Sequence, residues 1–191
     1  MNPFLSIWLH PKQTARYVIE HKTMVYVLVI LVLGYIGSGF SAFMDTKLYP
    51  ELSYIWILLI VIIFAPIFGT IIMFIMSGIV FLVGKLLKGT GSFWDVFKAA
   101  SLSCIPTIFL GPLYLLWMFA SPESFFYPDE SSTVALILSI FIVIIGIWSS
   151  VILIAAVAEA HQFSIIRSIT TLIIPALLLF ISIVGLLVVI A

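Results

Sequence analysis

The sequence predicts an all-α membrane protein, a polytopic helical bundle of five transmembrane helices with a short amphipathic N-terminal segment. Three observations predict it. Of 191 residues, 64% are hydrophobic and only 8% charged, with a mean hydropathy of +1.35. Soluble domains carry about 25% charged residues, so this chain has too little polar surface to clothe a water-facing globule. The apolar residues gather into runs of about twenty or more, the length a helix needs to cross a hydrocarbon core of about 30 Å. Short polar links between the runs hold nearly all the charge.

Residues 1–23 form the first element, an interfacial segment ahead of a membrane domain over 24–191. Pro11 interrupts any helix there and predicts two short amphipathic pieces. Trp8 and Tyr17 suit a headgroup region, and Lys12, Arg16 and Lys22 suit an anionic leaflet. The first apolar run starts only at Met24 and is longer than the 7–15 residues of a signal-peptide core. It reads as an uncleaved signal anchor and as the first span, about residues 24–44. Gly34, Ser38 and Ala42 recur along it at helical spacing, and small residues in that pattern let a second helix backbone come close in lipid. The stripe is therefore a packing face, within the chain or between copies.

The second run, about 54–84, contains no charge. It is longer than the hydrocarbon core, but no polar turn divides it, so it predicts one long span hinged at Pro66 and Gly69. The third span, about 99–120, contains Pro106 and Pro112. Each would free a backbone carbonyl, with Ser101, Ser103 and Thr107 placed to satisfy it. Spans of about 134–158 and 169–190, the last with Pro175, complete the set. Cys104 lies inside an apolar run and reads as a small packing residue.

Five spans put the termini on opposite sides. Lys12, Arg16, Lys22, Lys85, Lys88, Lys98 and Arg167 fall on one side and Lys47 alone on the other. The positive-inside rule then places the N-terminus in the cytoplasm and the C-terminus outside, in a plasma membrane. The two links expected on the cytoplasmic side echo each other: Asp95-Val-Phe-Lys98-Ala-Ala-Ser101, ending at Ile105-Pro106, lies over Ser164-Ile-Ile-Arg167-Ser-Ile-Thr170, ending at Ile174-Pro175. A parallel repeat of spans two and three in four and five would place a binding site at the repeat interface. Similar membrane-boundary chemistry would give the same echo without a repeat.

Little here points to a reaction. Glu159 and His161 sit at the end of span four, and a boundary pair of that kind can relay protons. Here Glu159 is expected to pair with Arg167 or to face water. A metal needs three or four ligands, and no ligand spacing joins Glu159 and His161 to His10 and His21. Asp95 either pairs with Lys98 one turn on or serves the start of its helix. Gly89-Thr90-Gly91 lacks the lysine and hydroxyl of a phosphate loop. No charge stands at a span centre, as pumps and intramembrane proteases require, and no basic patch would hold nucleic acid. No cofactor is expected.

Three stretches together resemble the Yip family, the Ypt/Rab-interacting membrane proteins, and specifically a small bacterial member. They are Ile7-Trp8-Leu-His-Pro11-Lys12-Gln-Thr14-Ala-Arg16, then Gly91-Ser-Phe93-Trp-Asp95-Val-Phe-Lys98 followed by Pro106, and Ala158-Glu-Ala160-His161-Gln-Phe163-Ser164 before Pro175. The resemblance implies five helical spans, a cytoplasmic N-terminus and a non-enzymatic adaptor role, as in eukaryotic relatives that bind small GTPases and each other. Some bacterial relatives are associated with transporters or envelope-stress defence. The short N-terminal segment and the missing Asp-Leu-Tyr-Gly-Pro element argue against a GTPase partner here. The resulting expectation is an adaptor or accessory protein in contact with membrane lipids. It would act on itself as a homo-oligomer or on other membrane proteins, through the Gly34 stripe and the elements around Lys98 and Arg167. A carrier or scramblase for a lipid or small apolar solute is the alternative.

Overall fold

The computed structural model describes residues 1–127, 129–130 and 132–190, with side chains complete as far as Leu178. Every regular element among them is helical: α1 (Pro3–Ser6), α2 (Pro11–His21), α3 (Met24–Gly39) with a 3-10 turn at Phe40–Phe43, α4 (Tyr54–Leu86), α5 (Phe93–Ser101), α6 (Cys104–Thr107), α7 (Leu110–Ala120), α8 (Pro122–Phe126), α9 (Thr133–Ala160) and α10 (Ile165–Ile190). Among the described residues four stretches are long and apolar enough to cross a membrane: Met24–Phe43, Tyr54–Leu86, Phe93–Ala120 and Thr133–Ala160. Ile165–Leu178 is a shorter apolar one within α10.

Capping chemistry sets where several helices begin. The Asn2 side chain accepts from the Phe4 amide, Thr23 from Tyr26 and Ser164 from Arg167. Pro11 stands at the first position of α2, where its missing N–H is not needed, so α1 and α2 are indeed two pieces. Helix α4 runs unbroken for 33 residues through Pro66, about 50 Å at 1.5 Å per residue. It does not divide at that proline.

The third apolar run differs from its expected form. Rather than one helix kinked at two prolines, it is three helical segments, α5, α6 and α7. Pro106 and Pro112 each fall in the first turn of a new segment, where the lost amide would have had no intrahelical partner. The prolines mark starts and do not orphan carbonyls. Pro175, by contrast, lies inside continuous α10, so the sequence echo between the two links does not extend to the backbone path beyond them.

The chain divides into two compact units. One comprises Met1–Lys22, Met73–Ala100 and Ile152–Ala191, the other Thr23–Ile72 and Ser101–Val151. In the second unit, aromatic side chains of α7 and α8 build the core: Trp117, Phe125 and Phe126 pack with Phe40, Ile57, Val61 and Met118. Its Gly34 and Gly37 lie directly against α6. A methyl carbon on Gly34 would stand 2.6 Å from the Cys104 carbonyl oxygen, and one on Gly37 2.2 Å from that of Thr107. The Thr107 hydroxyl sits within bonding distance of both the Gly34 and Cys104 carbonyls. The small-residue face of the first span is thus occupied by its own chain at Gly34. Ser38 is half-buried and donates to the Gly34 carbonyl, while Ala42 is exposed in the 3-10 turn.

In the first unit the two long helices end alike. Lys88 follows α4 and Gln162 follows α9, both in the left-handed region, at φ 66 and 55. At α4 the Gly89 amide donates to Gly84 and Lys88 to Lys85. At α9 Phe163 donates to Ala158 and Gln162 to Glu159. Both are Schellman closures, built without the glycine that usually takes the left-handed position.

Candidate contact site

The first unit gathers the polar residues into one place, and helix α2 is its frame. Its apolar face, Ala15 and Val18 with Ile7 just before it, is fully buried by the chain itself, so the N-terminal segment is docked on protein. Leu5 and Leu9 stay exposed. Two charges hold the docked helix. Lys98 Nζ donates to the carbonyls of Ile19 and Lys22, at 3.0 and 2.8 Å, a cation set where the end of α2 leaves carbonyls unsatisfied. Arg16 Nε donates to Glu159 Oε1 at 2.6 Å, and Gln162 Nε2 reaches the same oxygen at 3.1 Å. The Glu159 side chain is 9% exposed and that of Arg16 60%. The hydrogen bond and charge of Glu159 raise the already high pKa of the guanidinium.

Asp95 takes its own helix start, not Lys98. Its Oδ2 accepts from the Ser92 amide and hydroxyl while Ser92 Oγ accepts from the Asp95 amide, a reciprocal capping box. Beside it, Phe93, Trp94 and Phe97 cluster with Phe74. The Thr90 amide donates to the His161 carbonyl at 3.0 Å, which ties the α4–α5 link to the end of α9.

His161 is fully buried and stacks on Phe163 at 5.1 Å between ring centroids. Its ring lies against Gly84 and Gly89, where an added methyl carbon would come within 2.2 and 2.4 Å of its two nitrogens. Burial, with the nearby Lys85 ammonium, pushes the imidazole pKa down. Over these groups lies a polar concavity of about 200 Å³ bordered by Arg16, Glu20, Thr90, Asp95, Glu159 and Gln162.

Of the expected contact residues, Arg16, Asp95, Lys98, Glu159 and His161 therefore come together. Trp8 is half-buried in the same unit. Arg167 is exposed in the first turn of α10 and is not the partner of Glu159; Arg16, 143 residues away in the chain, is. Gly84, Gly89 and Gln162 complete the arrangement, though nothing in the sequence marks any of them as a contact residue. Among the described residues no group of three or more His, Cys, Asp or Glu could share a metal ion.

Lys98→Met keeps the stem and removes the donor that two α2 carbonyls share. A hydrogen bond to a charged group contributes about 2 kcal/mol, so α2 is expected to undock ahead of the rest of the unit. Limited trypsinolysis at Lys22 checks this: cleavage as slow as in the unaltered protein would refute the clamp.

A family model described as the Yip1 domain matches residues 5–187. No curated protein and no solved structure matches the chain.

Proposed function

This chain belongs to the Yip1 domain family, and on that footing we propose that it is a non-enzymatic adaptor or accessory protein of the plasma membrane. Family membership and its apolar helices make it a multi-pass membrane protein. It works through contacts with a second copy or with another membrane protein, made at the polar concavity of the first unit. The observation that carries this reading is convergence. The three stretches that carry the family resemblance, far apart in the chain, meet directly through Arg16–Glu159 and where Gly91 lies against the Ala160 carbonyl, and the residues flanking them add Thr90–His161 and Lys98 with the carbonyls of Ile19 and Lys22. What they build is a fixed arrangement of charges and caps, a surface suited to being recognised.

The cations support the topology. Lys12, Arg16, Lys22, Lys85, Lys88, Lys98 and Arg167 all belong to the first unit and only Lys47 to the second, which favours a cytoplasmic first unit and N-terminus.

A photo-crosslinking residue at Glu20, on the rim of the concavity, tests the contact in the native membrane, with lipid-exposed Ile147 as the control position. The expected result is one discrete cross-linked species, self or partner, at Glu20 and not at Ile147. Equal labelling at the two positions would end the proposal. Reversing one charge, Arg16→Glu, should abolish the cross-link, and adding Glu159→Arg should restore it in part, because the swap re-forms the pair. The carrier or scramblase alternative draws on a groove in the second unit along Thr133–Ile144. Flux in proteoliposomes no greater than in empty vesicles would remove it.

A further inference from the structure

The second unit carries a cleft of about 1070 Å³ that has two chemically different ends. At the mouth stand the carboxylates of Asp45 and Glu130, with Ser132 and Thr133 at the start of α9. From there the cleft follows α9 past Leu136 and Ile140 to Val143 and Ile144, side chains that are each more than half exposed. Thr133 to Ile144 spans about 16 Å of helix at 1.5 Å per residue. Half of a hydrocarbon core of about 30 Å is nearly the same depth. The groove therefore has the length of one lipid leaflet, with its polar residues at one end and its apolar residues along the rest.

Its mouth is built. Asp45 is pinned by its amide, which donates to the Phe125 carbonyl at 3.1 Å. Behind it Trp117 Nε1 donates to Ser124 Oγ, which is 3.0 Å from Ser132 Oγ, and that hydroxyl caps the Ala135 amide. Among the described residues no cation pairs with Asp45 or Glu130. The whole unit holds Asp45, Glu51, Glu123, Asp129 and Glu130 against Lys47 alone. Negative potential at the mouth thus favours a cationic group, while the first turn of α9 offers its partial positive charge on the same rim.

We propose that this cleft is a binding site for a single phospholipid with an ammonium headgroup, of the phosphatidylethanolamine class. The ammonium sits at Asp45 and Glu130, the phosphate faces the start of α9, and the acyl chains lie along Leu136–Ile144. Anionic lipids are disfavoured, because they would bring negative charge to unpaired carboxylates. The assignment rests on the second unit alone and stands or falls separately from the contact site of the first.

The test is native mass spectrometry of the full chain released from vesicles of equal phosphatidylethanolamine and phosphatidylglycerol. One retained phosphatidylethanolamine per chain is expected, with the other lipid lower by roughly tenfold. Asp45→Asn with Glu130→Gln should erase that preference. Asparagine tolerates the left-handed backbone of Asp45, at φ 58, so the variant keeps its loop, and an unchanged thermal midpoint verifies it. Ser139→Trp, which fills the groove wall, should lower retention of both lipids. Equal retention of the two lipids by the unaltered protein would overturn the proposal, and so would undiminished preference in the double variant. Displacement by soluble phosphoethanolamine would also overturn it, since the acyl wall would then contribute nothing.

Discussion

Gly91→Ala and Gly37→Ala are expected to destabilise the protein more than any change on its exposed surface. A methyl carbon on Gly91 would stand 2.1 Å from the Ala160 carbonyl oxygen, and one on Gly37 2.2 Å from the Thr107 carbonyl oxygen. In both cases the obstacle is backbone, which cannot rotate aside as a side chain can. To make room, the α4–α5 link would have to leave the end of α9, or α3 would have to leave α6. Overpacking typically costs 1–3 kcal/mol and more where a backbone contact must open, so a loss of about 3 kcal/mol is expected for each. Gly146→Ala is the internal control, because nothing lies within 4 Å of its added carbon, and it should cost nothing. Thermal unfolding midpoints of the detergent-solubilised variants decide the matter. Gly91→Ala or Gly37→Ala melting with the unaltered protein would show that these close approaches do not exist.

The contrast among these glycines also shows what could be read without coordinates. Spacing of Gly34, Ser38 and Ala42 said that the first span meets something closely, but small size carries no address. The partner is α6, a four-residue segment that exists only because the third apolar run breaks. That break was misplaced for a physical reason. A proline inside an apolar run can kink a continuous helix or open a new one, and the two differ in where the preceding segment stops. At Ser101 no glycine or polar turn announces the stop. The closures of α4 and α9 were silent for a similar cause: Lys88 and Gln162 hold the left-handed position, and neither residue type signals it. Length and hydropathy, in contrast, located α4, α9 and α10 directly. So did Pro11, whose place at the start of α2 depends only on its own ring.

The candidate site divides along the same line. Asp95 three residues after Ser92 is a local pattern, and its role as a cap follows from the spacing. Arg16 with Glu159, and Lys98 with the carbonyls of α2, join residues far apart in the chain. Proximity in sequence points Glu159 to Arg167, the nearest cation along the chain. Helix α2 supplied a closer one in space, and it did so because its apolar face is buried against this same unit.

His161 should make the protein acid-sensitive. The ring is fully buried and neither nitrogen has a hydrogen-bond partner among the described residues. Burial and the Lys85 ammonium lower its pKa, while the Val80 backbone and the Asp95 carboxylate pull the other way without reversing it. The sign follows from linkage. With the folded pKa below the unfolded value of about 6.5, the unfolded chain takes up the proton first as the pH falls. Stability is therefore complete above about pH 6.5 and declines as the pH drops from there toward the folded pKa. Between about pH 7.5 and about pH 5.5 the unfolding midpoint of the unaltered protein should fall. His161→Phe keeps a ring against Phe163 and removes two polar atoms that nothing satisfies, so it should hold the neutral-pH midpoint and flatten the acid decline. His161→Ala should flatten it too, but at a cost of about 3 kcal/mol for the void left between Gly84, Gly89 and Phe163. An acid decline as steep in His161→Phe as in the unaltered protein would place the sensitivity elsewhere. A buried imidazole that must stay neutral would then be packing and nothing more, and the glycines around it would be the whole reason for its burial.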